Sequence, residues 1–361
     1  MGSRAIRLAW PALALSLLVL VSSAVGDASP VVSPRAPTKT IVAGLTHALR
    51  SGRVFRNEDP TYHRASLAAR LGSVVLEGAW LVPRHVVLLP VVRPDLGILH
   101  ARLGPTVTWI GHSTLLVQLD GVTFLTDPIW SERAGPFNGL FGAPRYTPPP
   151  IALDDLPPID FVLISHDHYD HLDEPTVRRL AARFNPLFVV PLGIKAWLAD
   201  RGITNATELD WGESVTVKGL QIVCTPAQHG SGRSLTDQGR RLWASWAVLG
   251  SKRFYFAGDS GYYRHFREIG DALGPFDLAA LPIGSYTPRK LMRPVHLSPE
   301  DAVQAWIDLR AAHFLGIHWG TLDLAREPYD EPPRRLAAEI AKRYLDSEAI
   351  WIRYPGETTL W

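Results

Sequence analysis

The sequence predicts an α/β fold, a layered sandwich in which two strand-rich halves are connected and covered by helices. The chain has 361 residues, of which 46% are hydrophobic and 20% are charged, and this composition is typical of a globular protein with a large core. From Pro105 onward, short apolar runs alternate with turn residues and helical patterns. Together these observations place the sandwich in residues 105–361.

The first half of the predicted sandwich combines a hairpin with alternating strands and helices. Asp120 and Gly121 form a typical hairpin turn between two apolar runs. A short apolar strand then leads into a histidine-rich loop, which is followed by a helix, a strand and a second helix. We predict strands at 107–110, 115–119, 122–126, 161–164 and 187–190, and helices at 174–183 and 194–200.

The second half is dominated by strands. The pairs Lys218-Gly219 and Gly250-Ser251 separate apolar runs and predict two further hairpins. Ser298, followed by a proline and two acidic residues, predicts the start of a helix, because serine caps a helix N-terminus and proline suits its first turn. We predict strands at 215–217, 220–224, 243–249, 253–257, 277–281 and 313–317.

Residues 1–26 have the pattern of an export signal. Arg4 and Arg7 precede an uncharged run from Leu8 to Gly26 that ends in small residues, as secretory signal peptides do. The alternative is a retained membrane anchor, because the run approaches the roughly 20 residues that span a bilayer. Either interpretation predicts an exported protein, periplasmic or associated with the cell envelope.

Residues 27–104 are predicted to be a linker and an N-terminal extension. Residues 29–40 are rich in proline, serine and valine, which is typical of a linker, and the remainder has mixed character. The sandwich predicted for residues 105–361 is expected to carry the functional site.

Composition excludes several classes of protein. With 37 Lys+Arg against 35 Asp+Glu, the formal charge is only +2, so a dedicated nucleic-acid binder is not expected. Cys224 is the single cysteine, which excludes an internal disulfide framework and any cysteine-ligated zinc or iron–sulfur site. A metal site in this chain would therefore have nitrogen and oxygen ligands.

The clearest chemical signal is the run Ser165-His166-Asp167-His168-Tyr169-Asp170-His171, directly after a predicted strand. Alternate side chains of a loop leaving a strand can point to one side, so the first two histidines can reach one ion. The last aspartate and histidine can turn to a second ion nearby. Imidazole and carboxylate ligands suit zinc, manganese or iron. The alternative is a histidine-rich surface tract, which the position after a buried strand disfavours.

Three further residues are candidate ligands. His229, Asp259 and His318 each come at the end of a predicted strand beside glycine. Such strand ends gather into active sites, and two metal ions about 3.5–4 Å apart can share a hydroxide and contact both the attacking and the leaving oxygen. We therefore expect these three residues to complete the site of the histidine-rich loop.

In these motifs the sequence resembles the metallo-β-lactamase-fold hydrolases, and in particular the branch that contains N-acylphosphatidylethanolamine-hydrolysing phospholipase D. The resemblance covers about residues 105–357. It includes the histidine-rich loop and the segments at 109–114, 125–129, 156–160, 209–211, 256–259, 274–279, 282–286 and 317–321. It implies an αββα sandwich, in which two mixed β-sheets are flanked by helices.

The resemblance also implies two divalent metal ions, expected to be Zn²⁺. It assigns His166, His168 and His229 to one ion, assigns Asp170, His171 and His318 to the other, and makes Asp259 the bridge. Asp170 or Asp259 is expected to hold the proton of the hydroxide. His296 matches a position near the active site of the phospholipase and is expected to contact the phosphate or the leaving group.

Two nearby residues have open roles. Asp127 either orients a ligand histidine or is a turn residue before Pro128. His112 either lines the site or is a histidine of the scaffold. The sequence departs from the phospholipase at two positions. The phospholipase has an aromatic residue in place of Gly230 and a polar amide in place of Val295, so the wall of the substrate pocket is expected to differ.

The resemblance implies a phosphodiesterase of phospholipase D type that acts on N-acylphosphatidylethanolamine-like lipids and associates with a membrane surface. One alternative is an exported metallohydrolase acting on a soluble phosphodiester, a lactone or an amide. A second is a metal-binding envelope protein with little catalysis, and a minor third is nucleic-acid processing, which the lack of a strong basic bias disfavours. Turnover of lipid in micelles, compared with turnover of a short soluble diester, distinguishes these functions.

Overall fold

The structure of the protein is a computed structural model that describes residues 38–59, 88–102, 104–234, 236–324 and 326–361. The predicted signal or anchor segment, residues 1–26, lies outside the described residues, as does much of the predicted extension. Within the described ranges, no helix has the length and apolar character that crossing a membrane requires.

Strands make up most of the regular structure. In chain order they are β1 (Lys39–Ile41), β2 (Leu49–Ser51), β3 (Val54–Arg56), β4 (Thr106–Gly111), β5 (Thr114–Leu119), β6 (Val122–Thr126), β7 (Arg133–Ala134), β8 (Ala143–Pro144), β9 (Phe161–Leu163), β10 (Leu187–Pro191), β11 (Ala206–Leu209), β12 (Glu213–Val217), β13 (Leu220–Thr225), β14 (Ser245–Leu249), β15 (Arg253–Phe256), β16 (Leu278–Pro282), β17 (His313–Ile317), β18 (Ile350–Trp351) and β19 (Thr358–Leu360).

Two mixed sheets contain most of these strands. The larger sheet has eight strands in the order β1-β12-β13-β14-β15-β16-β17-β18, and the smaller has seven in the order β11-β10-β9-β6-β5-β4-β19. Strands β15 to β18 run parallel to one another, as do β6, β9, β10 and β11. The carboxyl ends of neighbouring parallel strands lie at the same end of a sheet, where loops commonly form functional sites.

The helices are α1 (Leu96–Ala101), α2 (Glu174–Phe184), α3 (Ile194–Ala199), α4 (His265–Leu273), α5 (Arg289–Met292), α6 (Pro299–Asp308) and α7 (Glu331–Lys342), with short helical turns at Pro136–Gly139, Leu153–Asp155 and Ser347–Ala349. Helix α6 begins as predicted. The side chain of Ser298 accepts from the backbone N–H of Asp301, whose own side chain accepts from the backbone of Ser298.

The two sheets pack face to face through alternate residues of their strands. In the smaller sheet, Leu115 and Phe124 belong to the core shared with the larger sheet, and the ring of Phe124 lies 5.9 Å from that of Phe254 in β15. Their neighbours Leu116 and Leu125 point the other way, into a second core. Successive side chains of a strand face opposite sides, so both faces of this sheet are buried.

Helices cover the outer faces of both sheets. Residues of α2 and α3, including Val177 and Leu198, form the second core with the smaller sheet. Helices α4, α6 and α7 contribute Phe266, Trp306 and Leu336 to the core that contains the larger sheet. The order of layers is therefore helices, sheet, sheet, helices, and the predicted αββα sandwich is confirmed.

Every strand and helix predicted within residues 105–361 is present, with ends that differ by one or two residues at most. The predicted linker at 29–40 needs a correction at its end, because Lys39 and Thr40 are part of β1. This strand pairs with β12 at the edge of the larger sheet, with Lys39 opposite Val215. Its three residues are all exposed, so they show no buried apolar pattern that would predict a strand. The division into 27–104 and 105–361 otherwise stays a prediction.

Candidate metal centre

The seven predicted ligands follow strands of both sheets. The histidine loop, residues 166–171, comes after β9, and the three remaining candidates are His229 after β13, Asp259 after β15 and His318 directly after β17. Because β15 and β17 run parallel to β16 between them, Asp259 and His318 lie at the same end of the larger sheet. The structure brings all seven side chains together.

Gly258 allows the segment that carries Asp259 to approach the histidine loop. Its φ of +56° lies in the left-handed region, which residues with a side chain rarely adopt. A Cβ at this position would lie only 2.4 Å from the Cβ of Ser165, at the start of the loop. The position therefore requires glycine, and a larger residue would separate Asp259 from the histidines.

His166, His168 and His229, which we call the imidazole group, point their ring nitrogens at one another. The Nε2 atom of His166 lies 2.8 Å from Nδ1 of His168, and Nε2 of His229 lies 3.2 Å from the same atom. His166 and His229 are buried, and His168 is partly buried. Three imidazole nitrogens converging on one point are a common ligand set for zinc.

Asp170, His171 and His318, which we call the carboxylate group, form the second convergence. The Oδ2 atom of Asp170 lies 3.2 Å from Nε2 of His171 and 3.6 Å from Nε2 of His318. One oxygen and two nitrogens are close enough together to contact a single ion. The two groups have the composition that the resemblance implies for two separate metal sites.

Asp259 lies between the two groups. Its Oδ2 atom is 3.3 Å from Nε2 of His171, 3.7 Å from Nε2 of His229 and 4.0 Å from Nε2 of His166. Its Oδ1 atom is 3.1 Å from Nε2 of His318. A carboxylate that reaches members of both groups is placed to bridge two ions.

Several buried atoms that face this centre find no hydrogen-bond partner among the described residues. They are Nε2 of His171, Nε2 of His318, Oδ1 of Asp259 and Nδ1 of His296. A buried polar atom without a partner costs about 1–3 kcal/mol, so such atoms are uncommon unless an ion or ligand completes them. The nitrogen and oxygen donors of the site, including these atoms without hydrogen-bond partners, therefore fit divalent metal ions.

The imidazole group is held in the form that binds metal. Burial, followed by repulsion from neighbouring imidazoles, lowers the pKa of His166 well below its ordinary value, with Asp259 opposing the shift. Burial likewise lowers the pKa of His229 well below its ordinary value. Both rings are neutral near pH 7, and neutral imidazole is the ligand form.

The carboxylate group behaves in the opposite way. Burial alone would lower the pKa of His171, but the carboxylates of Asp259, Asp170 and Asp127 outweigh it and raise that pKa well above its ordinary value. The same balance raises the pKa of His318 to about 9. Without metal, protons on these two rings supply the positive charge that the carboxylates attract.

The contacts of Asp127 favour the first of its two predicted roles. Its Oδ2 atom lies 2.7 Å from Nδ1 of His171, and its Oδ1 atom accepts the backbone N–H of Ser165 at 2.7 Å. The hydroxyl of Ser165 lies between Oδ2 of Asp127, at 2.5 Å, and Nδ1 of His166, at 2.9 Å. Asp127 thus orients one candidate ligand directly and a second through Ser165.

His112 lines the site, so its contacts favour the first of its two predicted roles. Its Nε2 atom lies 3.0 Å from Oδ2 of Asp170, and its ring centroid lies 4.1 Å from that of His318. Burial, reinforced by His318, lowers the pKa of His112 to about 3, so the ring is neutral and can donate to Asp170.

The second ring nitrogen of His229 has a partner that the sequence could not reveal. Its Nδ1 atom lies 2.8 Å from the backbone carbonyl of Val295, and every residue has such a carbonyl, so no residue type marks this contact in the sequence.

His296 lies at the edge of the imidazole group. Its Nδ1 atom is 3.7 Å from Oδ2 of Asp259, and its ring centroid is 5.1 Å from that of His229. Burial lowers its pKa to about 4, which leaves the ring neutral near pH 7. His296 therefore adjoins both Asp259 and the imidazole group.

Comparison with known proteins agrees with this geometry. A family described as the β-lactamase superfamily domain matches residues 123–319, which is more than half of the chain. The chain belongs to this superfamily of metal-dependent hydrolases. The match includes the histidine loop, His229, Asp259 and His318.

The relatives are consistent with the family. N-acyl-phosphatidylethanolamine-hydrolyzing phospholipase D 1 of Caenorhabditis elegans is 46% identical over 265 residues, which cover 70% of this chain and 74% of that protein. An uncharacterized protein of Mycobacterium tuberculosis is 40% identical over 313 residues, which cover 84% of this chain and 82% of that protein. The structure of a metallo hydrolase of Ignicoccus hospitalis has the same fold, with a TM-score of 0.54, 24% identity, and coverage of 71% of this chain and 97% of that chain.

Proposed function

We propose that the protein is a two-metal phosphodiesterase of phospholipase D type that cleaves N-acylphosphatidylethanolamine-like lipids. The observation that carries this proposal is the position of Asp259, whose two oxygens lie within 3.1–4.0 Å of ring nitrogens from both ligand groups. The substrate class is supported by a relative of 46% identity that bears the name of a phospholipase D.

Two divalent ions, which we expect to be Zn²⁺, would be held by the imidazole group and the carboxylate group, with Asp259 shared. The nitrogen and oxygen donor set suits zinc. When bound, such a pair lowers the pKa of a shared water toward neutrality and stabilises negative charge on a phosphoryl oxygen.

Side chains of the site would orient the hydroxide and assist the leaving group. An oxygen of Asp170 or Asp259 would accept a hydrogen bond from the hydroxide, which forms when a water releases one proton to solvent, and would orient that hydroxide for attack on phosphorus in line with the leaving group. The bond between phosphorus and the alcohol oxygen would then break, leaving a phosphate monoester and an alkoxide, and the alkoxide would take up one proton from solvent to become the alcohol. Neutral His296, beside Asp259, is placed to donate a hydrogen bond to the phosphate or to that leaving oxygen.

Space for a substrate opens on both sides of the centre. A cavity of about 370 Å³ lies beside the carboxylate group, and its lining includes His112, His318, Trp319, Leu322 and Tyr329. On the side of the imidazole group, a Cβ added to Gly230 would meet no atom within 4 Å. The lining also includes the charged residues Asp323, Arg326 and Glu327, so the cavity offers contacts to an apolar chain and to a charged phosphate group.

Export of the chain and its association with a membrane surface are also part of the proposal. They rest on the sequence of residues 1–26 and on the expected lipid substrate. A lipid-cleaving enzyme should favour substrate presented in micelles or vesicles over short diesters in solution.

The experiment is to measure bound metal and turnover of N-acylphosphatidylethanolamine in detergent micelles, with a short soluble phosphodiester as the matched control. Close to two ions per chain and preferential release of N-acylethanolamine would support the proposal. Two ions with turnover of the soluble diester alone would replace the lipid substrate with a soluble phosphodiester. A folded protein supplied with zinc that binds none would overturn the two-metal mechanism.

A further inference from the structure

The histidine loop is tied to the segment after His229 by one side chain. The Nη1 atom of Arg233 donates to the backbone carbonyls of Asp167, at 2.9 Å, and of Leu172, at 2.8 Å. These two carbonyls lie on either side of the stretch that carries the ligand candidates at 168, 170 and 171. A single nitrogen with two hydrogens therefore holds both ends of that stretch.

Aromatic rings fix the orientation of this guanidinium. The Cζ atom of Arg233 lies 4.0 Å from the ring centroid of Tyr169 and 4.8 Å from that of Trp197. The hydroxyl of Tyr169 donates back to the carbonyl of Arg233 at 2.8 Å. A planar guanidinium can stack on rings with its faces while its edge donates hydrogen bonds, which a lysine ammonium cannot do.

Asp167 provides a second attachment between the same two segments. Its side chain is fully buried, and its two oxygens accept the backbone N–H of Gly232 at 2.7 Å and Nη1 of Arg241 at 2.7 Å. Both the backbone carbonyl and the side chain of Asp167 thus connect the loop to the segment that follows His229.

We propose that Arg233 is a positioning residue for the metal centre, which holds the histidine loop so that His168, Asp170 and His171 face their ions. The inference rests on the proposed function, because it takes these residues as metal ligands. Between β9 and α2 the loop lies outside the regular strands and helices, and its internal backbone hydrogen bonds are those of one turn, in which the N–H groups of His171 and Leu172 donate to the carbonyl of His168. Ligand atoms need to be held within about 0.5 Å of their productive positions, so a loop of this kind needs side chains that support it.

Arg201 offers a matched control for Arg233. Its Cζ atom also stacks on Trp197, at 3.6 Å, but its side-chain hydrogen bonds go to the carbonyl of Trp197 and to Glu174. Replacing either arginine with alanine removes a guanidinium from the same aromatic ring. Only the change at Arg233 removes the contacts to the histidine loop.

The test compares Arg233→Ala and Arg201→Ala in the full chain. Affinity for Zn²⁺ is measured by competition with a chelator, coordination by the visible spectrum of the Co²⁺-loaded protein, and folding by the thermal midpoint of the metal-free protein. We expect Arg233→Ala to weaken binding of at least one ion by about tenfold or more and to change the Co²⁺ spectrum, as loss of outer support does in metal sites. Arg201→Ala should bind both ions within about twofold of the unchanged protein.

Equal metal affinities and Co²⁺ spectra of the two variants would overturn the positioning role and leave the proposed function intact. If Arg233→Ala does not fold, Arg233→Met takes its place, because methionine keeps a long unbranched side chain but has no N–H to donate to the two carbonyls. Affinity of Arg233→Met equal to that of the unchanged protein would likewise overturn the inference. Failure of the unchanged protein to bind metal would overturn the proposed function itself.

Discussion

The two ligand groups share one site but are supported by different neighbours. In the imidazole group, His166 contacts the hydroxyl of Ser165 and His229 contacts a backbone carbonyl, both of which are neutral. In the carboxylate group, Asp170 is itself a member, and Asp127 lies directly behind His171. The same residue type, histidine, is therefore kept neutral in one group and protonated in the other when metal is absent.

This difference shows that the identity of the ligands alone does not determine how the imidazole group and the carboxylate group bind metal. The neutral rings can accept an ion without giving up a proton, whereas an ion entering the carboxylate group must displace protons. The negative charge of its carboxylates, however, gives the carboxylate group a stronger electrostatic attraction for a cation than the imidazole group has. Changes at single residues should therefore affect the two ions unequally, except where a residue serves both.

The largest effect is expected at Asp259, which serves both groups. Asp259→Asn keeps the shape of the side chain but removes the charge that reaches both ions, so we expect turnover to fall by at least about 10³-fold and metal content to drop below two ions per chain. The measurement is turnover together with metal analysis. Asp154→Asn, at an exposed carboxylate paired with Arg179, is the control and should change neither quantity. Near-normal turnover of Asp259→Asn would contradict the bridging role.

Loss of one ligand from each group separates the two ions. We expect His168→Ala to lose the ion of the imidazole group and His318→Ala that of the carboxylate group, with turnover reduced by about two orders of magnitude or more in each case. Metal analysis at graded Zn²⁺ concentrations should show one tight ion remaining in each variant. Full activity of a metal-replete His168→Ala protein would remove the basis for the ligand assignment.

The sequence allowed the inner part of the fold to be predicted but not its edges. Strands such as Phe161–Leu163 and Leu278–Pro282 are continuous apolar runs, because buried strands in a sandwich present apolar residues to both sides. The four unpredicted strands of the two sheets, β1, β11, β18 and β19, are the four sheet edges. They have two to four residues each, and segments as short as Thr358–Leu360 form strands only because a partner strand lies beside them.

The candidate site divides in the same way between local and tertiary information. The histidine loop concentrates ligand chemistry in one segment, so it could be recognised from the sequence alone. The contact of Ser165 with both Asp127 and His166 depends on the approach of two strand ends and has no local pattern. The positions of Arg233 and of the Val295 carbonyl depend on loop conformation, which residue types do not determine.

A smaller and more selective effect is expected at Asp127. Asp127→Asn keeps an oxygen that can accept from Nδ1 of His171 but removes the negative charge behind that ring. We expect binding of the carboxylate-group ion to weaken by about 10–100-fold, the usual cost of changing such an outer partner, while the other ion changes less. Competition with a chelator measures the dissociation constants of both ions in the variant. Ser165→Ala is the matched comparison, since its hydroxyl contacts the imidazole group, and equal weakening of both ions by Asp127→Asn would contradict the assignment.

The mildest test uses pH and leaves the chain unchanged. The pKa of His318 is raised to about 9 and that of His171 is raised well above its ordinary value, so both rings hold protons at pH 7 in the metal-free protein, and His318 loses its proton as pH rises through about 9. Affinity of the carboxylate group for Zn²⁺ should therefore rise by at least about tenfold per pH unit up to about pH 9. The imidazole group, whose pKa values are lowered, should bind with little pH dependence over the same range. Calorimetric titration in two buffers of different ionisation enthalpy counts the protons released by each ion, and equal release from both would show that the two groups do not differ in charge.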